Sequence, residues 1–306
     1  MAEVRPKWPQ ALDNVFRQIH DEAEAKFVSR LDKVFNVTSS DKAYEQDTSM
    51  SGYGQLEETA ELENIKYEDT VPGWEVTYTH KKFAKGASVS QEMIDDEKWG
   101  MIKKRPAALA KSKMMTLEQA GADVFNYGFV VGGGGKATFT GGDGKALFAT
   151  NHVNRPGDII QSNKITTALT QSAIQAVTLA MRKRLNTKGQ IVEFMPTTLL
   201  VPVELQYTAQ IIMKSTQVLG SNFNDINPVQ GSLDIVIWPY LTSALAWFVL
   251  TDQEDAQLNF FIRKDEGVQG PNWDFDAEAA RWKSVVRFSV GYSDWMGCYG
   301  SVGDGS

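Results

Sequence analysis

The sequence predicts an α+β fold, with helices and strands mixed in no regular strand–helix–strand order. Apolar residues recur at steps of three and four over 11–35, 88–128 and 170–185, the spacing of helices buried along one face. Alternating or continuous apolar runs of strand length occupy 74–81, 196–201, 232–239, 246–252, 258–264 and 280–295. No internal repeat or sustained heptad pattern organises them into a solenoid or coiled coil. At 306 residues, 42% apolar and 10% aromatic, the chain can bury a substantial core in one or two domains.

The first helical stripe is Leu12, Val15, Phe16, Ile19, Ala23, Phe27, Leu31 and Val34, with His20 beside it. Residues 36–56 are rich in Ser, Thr, Gly and Asp and nearly free of large apolar side chains, so they cannot form a core alone. After the turn chemistry of Pro72-Gly73, Trp74, Val76, Tyr78 and His80 fall on one side of a strand, with Glu75, Thr77, Thr79 and Lys81 on the other. Residues 45–87 therefore read as a long two-stranded excursion, marginal in water unless it lies against a partner.

Ser88 or Ser90 is the expected cap of a helical region reaching Gly128, whose apolar side carries Met93, Trp99, Ile102, Leu109, Leu117, Ala120, Val124 and Tyr127. Unbroken, it would be about 60 Å long. Pro106 predicts a kink or a break after Arg105, with the longer, cleaner helix beyond. Residues 170–185 form a second amphipathic helix with cations in its last turn, and 202–215 a helix opening on proline after the buried strand 196–201.

There are 31 basic and 38 acidic residues, giving a net charge of −7 and a pI near 5.2, the reverse of a nucleic-acid binder's footprint. Cys298 is the only cysteine, so no intrachain disulfide can form. The start "MAEVRPKWPQ" has no apolar leader core, and the longest apolar run, 241–250, falls well short of the roughly 20 residues that span a bilayer. A soluble intracellular product without a membrane partner is expected.

The stretch "VVGGGGKAT" and the later "GDGKA" invite comparison with a phosphate-binding loop, which needs Gly, four residues, then Gly-Lys-Ser/Thr. Val130 and Ala137 stand at the wrong ends of the first Gly-Lys pair, Phe139 and Ala146 at those of the second. His20, His80 and His152 show no metal-ligand spacing with one another or with Cys298. His152 with Asp143, Asp158 and nearby serines lacks the G-x-S-x-G turn of a hydrolase. Asp95, Asp96 and Glu97 read as a solvated helix start. No catalytic residue, cofactor or metal is expected. Gly132, Gly133, Gly134 and Gly135 instead predict a flexible loop just past a helix end, one glycine capping it, with Lys136 and Lys145 facing neighbours or solvent.

Charge segregation is the sharper signal. Residues 57–69 carry six acids and one lysine, whereas 98–113 carry six bases and no acid. The expectation is that Glu57, Glu58, Glu61 and Glu63 of one subunit lie over Lys98, Lys103, Lys104, Arg105, Lys111 and Lys113 of the next.

The order of elements, returning through "LNFFIRK" to a terminal strand pair, resembles the tailed-phage major capsid proteins of the Hong Kong 97 fold. The stretches "DGKALFATNHVNRPGD", "LLVPVELQYTAQIIMKS" and "NDINPVQGSLDIVIWPYL" are similar to the Mu-like major head subunits. The resemblance implies an N-terminal arm and helix at 1–44, an E-loop β-hairpin at 45–87, a peripheral domain with spine helix and Gly-rich loop at 88–164, an axial domain at 165–255, and peripheral return strands at 256–306. It implies pentamers and hexamers closing into an icosahedral shell around double-stranded DNA, held without sequence-specific contacts. Separate scaffolding and portal proteins are implied, with decoration or tail-connector proteins, in a virion assembled in the host bacterial cytoplasm. Lys66, Lys81, Lys82 and Lys85 match no cross-linking motif. The alternative within the same fold is an encapsulin-type nanocompartment shell; from another class, a nucleotide-binding enzyme using the Gly-Lys loops.

Overall fold

The computed structural model describes residues 8–50, 52–70, 72–96, 98–137, 139–153, 159–217 and 225–304, the side chains of 8–12 and 99 excepted. The side-chain roles expected of Leu12, Glu97, Trp99 and Asp158 lie outside these described residues.

Two sheets share one core. The first is built on a long antiparallel ribbon, Leu258–Asp274 with Ala279–Tyr292, flanked by Asn36–Ser39 on one side and Lys81–Ser90 on the other. Along the ribbon Trp282, Val286 and Phe288 alternate with more open positions, and the buried set faces the helices. Those helices are Trp8–Ala25 and Lys104–Asn126. Phe16 stacks on Trp282 with ring centroids 4.0 Å apart.

The second sheet has the order Asp234–Ile237, Thr198–Val201, Trp247–Leu250, Cys298–Ser301, Lys164–Ile165. Its central strands are apolar without alternation because both faces are covered. Leu200, Phe248 and Leu250 join the core around the long helix and the first sheet. Leu199, Val201, Trp247 and Val249 join a second cluster under Gln171–Arg182 and Gln206–Lys214. Phe125, fully buried near the end of the long helix, lies 5.1 Å from Phe248 of the second sheet and 6.0 Å from Phe35, which lies 6.1 Å from Phe260 of the first, so the helix end ties the sheets together.

The expected elements shift in three places. The excursion proper is Tyr44–Met50 paired with Pro72–Thr79; past His80 the chain turns into the first sheet as Lys81–Ser90, so Ser88 is a strand residue. Helix follows as Gln91–Asp95, Trp99–Ile102 and Lys104–Asn126. Pro106 does not mark the break, which falls at Lys103. Proline is tolerated in the first helical turn because amides there have no intrahelical acceptor. Third, residues 256–306 do not pair as one unit: Cys298–Ser301 leaves the ribbon and lies between Trp247–Leu250 and Lys164–Ile165.

His80 sits at the root of the excursion, 5% exposed, with Nε2 3.3 Å from Ser40 Oγ and Nδ1 3.0 Å from Ser289 Oγ. The Ser40 hydroxyl donates to Glu45 at 2.7 Å, so it accepts from Nε2–H, and the Ser289 hydroxyl donates to Nδ1. Burial, with Arg287 and Arg263 nearby, holds the His80 pKa below the ordinary histidine value, against the opposite pull of Glu45. Neutral His80 therefore stabilises the fold fully above the unfolded-state pKa of about 6.5, and this is lost as pH falls through the lower folded value. Denaturation midpoints are expected to drop more between pH 7 and pH 5 in the native chain than in His80→Gln. Equal drops would assign the acid sensitivity elsewhere.

Candidate assembly surfaces

The excursion is anchored at its root and open at its tip. Tyr78 is 1% exposed, stacks on Phe139 at 4.9 Å and places its hydroxyl 2.7 Å from Ser293 Oγ. Between the strands, residues 52–70 hold one turn at 61–62. There Leu56 and Leu62 are fully exposed and Tyr67 is 95% exposed, with Tyr53 and Ile65 not far behind. Free-standing apolar side chains in such a cluster mark a surface awaiting a partner. Glu57 pairs with Lys66, Glu63 accepts from the Ala60 amide at 3.0 Å, and Glu68 pairs with Lys188 on the turn between Arg184–Leu185 and Ile191–Val192. Glu58 and Glu61 make no ion pair or hydrogen bond among the described residues.

The basic segment is less uniform than its sequence. Lys103, Lys104 and Lys111 are exposed, Lys98 is held 2.8 Å from Asp96, and Arg105 donates to Met93 Sδ at 3.4 Å. Lys113 is not a surface residue. Its side chain is 3% exposed, with Nζ 2.7 Å from Glu24 and 2.8 Å from Asp265, where it clamps the N-terminal helix and the ribbon to the long helix. It follows Leu109 by four residues and precedes Leu117 by four, so helical geometry carries it onto the buried face.

The glycine run has a steric rather than a capping role. The long helix ends at Asn126 with Tyr127 as its cap at φ −106°, five residues before the first left-handed glycine, Gly132. Asp123, 4% exposed, turns back on the loop, and its Oδ2 accepts the Lys136 amide at 2.8 Å. At Gly135, where φ is +60°, a Cβ would lie 2.3 Å from that same oxygen. The second Gly-Lys pair repeats the arrangement, the Lys145 amide donating to Asp143 at 3.0 Å. Amides that a phosphate cradle would aim at its ligand here face the chain's own carboxylates, which repel an anion. Lys136 and Lys145 are half-buried.

The histidines are built into the packing. His152 Nδ1 lies 2.6 Å from Asp143, its ring stacks on Trp295 at 4.3 Å, and its Nε2 is buried without a partner among the described residues. A serine hydrolase would need its nucleophile at that nitrogen. Arg184 lies over the Trp295 ring at 4.7 Å, and burial brings its pKa down to about 10, still charged at neutral pH. His20 Nδ1 approaches Asp21 and Glu24 at 3.2 and 3.7 Å, donors that could group around a cation, but the Lys113 ammonium already neutralises Glu24. Burial pushes the Cys298 thiol pKa up, which leaves it unreactive.

An arm that projects beyond its own core and a two-sheet body held together by a long helix define this chain, and its sequence from 74 to 301 matches the phage capsid protein family. The chain belongs to the phage capsid protein family. It is a major capsid protein of a tailed phage, a structural subunit of the virion. The fold is similar to the solved capsid of bacteriophage JBD30, with a TM-score of 0.56 at 15% identity over 79% of this chain and 100% of that one. It is also similar to Gordonia phage Cozz, at 0.54 and 12% over 89% and 85%. A virus-like particle from Pyrococcus furiosus gives 0.53 and 8% over 94% and 98%. No curated protein matches the sequence. No helix among the described residues is long and apolar enough to cross a membrane.

Proposed function

We propose that this capsid protein is a Hong Kong 97-fold head subunit of the Mu-like branch, forming pentamers and hexamers that close into an icosahedral shell around double-stranded DNA. The observation that carries this is the excursion tip, whose Leu56, Leu62 and Tyr67 stand in water on an isolated subunit. Heterologous contacts around a ring cover such a tip with the next copy, and closure covers all of them. The net charge of −7 suits a container that must hold DNA without gripping it. On this reading 45–87 is the E-loop, 88–164 with 256–306 the peripheral domain, whose strand Cys298–Ser301 crosses into the sheet of the axial domain at 165–255, and the role is structural rather than catalytic. Glu58, Glu61, Lys103, Lys104 and Lys111 remain free for contacts between copies, with scaffolding, portal and decoration proteins as further partners. A solved JBD30 capsid, at TM-score 0.52 and 16% identity, is described as decorated with minor capsid protein trimers.

Light scattering on the purified chain is expected to show a cooperative rise in mass above a threshold concentration; a mass fixed at 34 kDa would contradict the reading. The likeness to the Pyrococcus particle favours a second reading, a nanocompartment shell, and nuclease-protected DNA inside particles recovered from infected or induced cells separates the two.

A further inference from the structure

Between the long helix Lys104–Asn126 and the edge strand Lys81–Ser90 lies a cavity of about 200 Å³. Three parts of the chain build its polar wall. On the helix, Ser112 and Thr116 stand one turn apart with Lys113 beside them, so all three face the strands. On the sheet, Ser284 shares the face of Trp282 and Val286, and Lys85 stands directly across the strand pair from it. Lys136 enters from the glycine-rich loop, where the bond from its amide to Asp123 fixes it. Among the described residues no acid lines the cavity. Lys113 is already paired with Glu24 and Asp265, whereas Lys85 and Lys136 have no carboxylate within ion-pair distance among the described residues. The Ser284 hydroxyl is buried, and it too has no hydrogen-bond partner among them. Two ammonium groups bordering one recess repel each other, and a buried hydroxyl without an acceptor keeps its desolvation cost; a single anion relieves both.

We propose that this cavity is an anion site for one small tetrahedral oxyanion of the phosphate type, held by Lys85 and Lys136 with a hydrogen bond from Ser284. The volume sets the size of the ligand. About 200 Å³ lies below the roughly 300–1,000 Å³ of pockets that bury drug-sized ligands, so a nucleotide is too large and a single phosphate group is not. Charge sets its sign. The Asp123 carboxylate that blocks the Lys136 amide does not line the cavity, and the lysine stem carries the ammonium away from it. Glu24 and Asp265 do not line it either, and both are held by the Lys113 ammonium. Lys136 thus serves an anion through its side chain, not through the backbone nest that a nucleotide loop requires. Bound there, the anion joins the edge strand to the glycine-rich loop across the helix and stabilises the folded subunit by mass action. The site goes beyond the shell-building reading and does not depend on it.

Thermal unfolding of the purified chain in rising inorganic phosphate, at an ionic strength held constant with sodium chloride, is expected to show a midpoint that climbs along the linkage curve of one site. Lys85→Met and Lys136→Met should each weaken the apparent affinity about tenfold, since each removes one charge-assisted hydrogen bond. Ser284→Ala should weaken it about threefold. Lys111→Met, which changes an exposed lysine of the same helix outside the cavity, should leave it unchanged. The midpoint of each variant without phosphate shows that it folds, and phosphorus-31 line broadening reads binding independently of stability. A midpoint that responds to phosphate no more than to chloride, or saturable binding that neither lysine variant weakens, would overturn the proposal. Release of the bound phosphate by a DNA duplex at the same phosphate concentration would overturn it too, because the cavity would then be a contact for the nucleic-acid backbone.

Discussion

Lys113→Met is expected to cost the folded subunit about 3 kcal/mol, measured as the change in unfolding free energy in urea. The Lys113 ammonium is nearly sealed from water and touches two carboxylates from distant parts of the chain, Glu24 and Asp265. Taking away one partner of a buried ion pair costs about 3–5 kcal/mol, because the remaining charge stays desolvated. Here two like charges remain, but each carboxylate side chain is about 30% exposed, which lets water take up part of the loss and sets the lower end of that range. Methionine preserves the aliphatic packing, so the loss reads charge rather than volume. Adding Glu24→Gln and Asp265→Asn to Lys113→Met should recover most of it. A triple variant as unstable as the single one would show that packing, not charge, decides at this position.

The second large effect is expected at Gly135→Ala, again about 3 kcal/mol. Holding a non-glycine residue in left-handed backbone costs of order 1 kcal/mol or more, and a buried acceptor deprived of its donor about 1–3 kcal/mol. Both apply, because the new methyl group would lie 2.3 Å from Asp123 Oδ2 and force the carboxylate away from the Lys136 amide. Since the two costs share one carboxylate, Gly135→Ala and Asp123→Ala should be strongly non-additive, the double variant losing well under the sum of the singles. Additive losses would mean that the loop and the helix end are not coupled as the geometry requires.

Much of the architecture was legible from pattern alone, and particular residues show where legibility stops. Trp74, Val76, Tyr78 and His80 alternate because one face of that strand packs and the other does not, and the burial follows the alternation. The stripes under Gln171–Arg182 and along the long helix are helical for the same kind of reason. The run at Trp247–Leu250 shows that a strand is buried but not by what, since two different cores use its two faces. Cys298–Ser301 carries no pattern: at four residues it is recruited into the second sheet by neighbours far away in sequence.

The assembly surfaces divide in the same way. The acidic tip was legible because composition alone exposes it. Lys113 looked like part of a basic surface when charges were counted along the segment, although its spacing from Leu109 and Leu117 already pointed inward. The glycines could be read either as freedom or as close approach, and only the return of Asp123 against Gly135 distinguishes these. The pairing of Lys82 with Arg287 could not be found from the sequence, because some two hundred residues separate them and only strand register sets the two side by side.

Electron microscopy of the purified chain at rising concentration tests the central claim most directly. The account predicts rings of five and six subunits, or closed shells tens of nanometres across, with the excursion of each copy lying on its neighbour. Single particles of one subunit at every concentration, with the tip still exposed to protease, would contradict it.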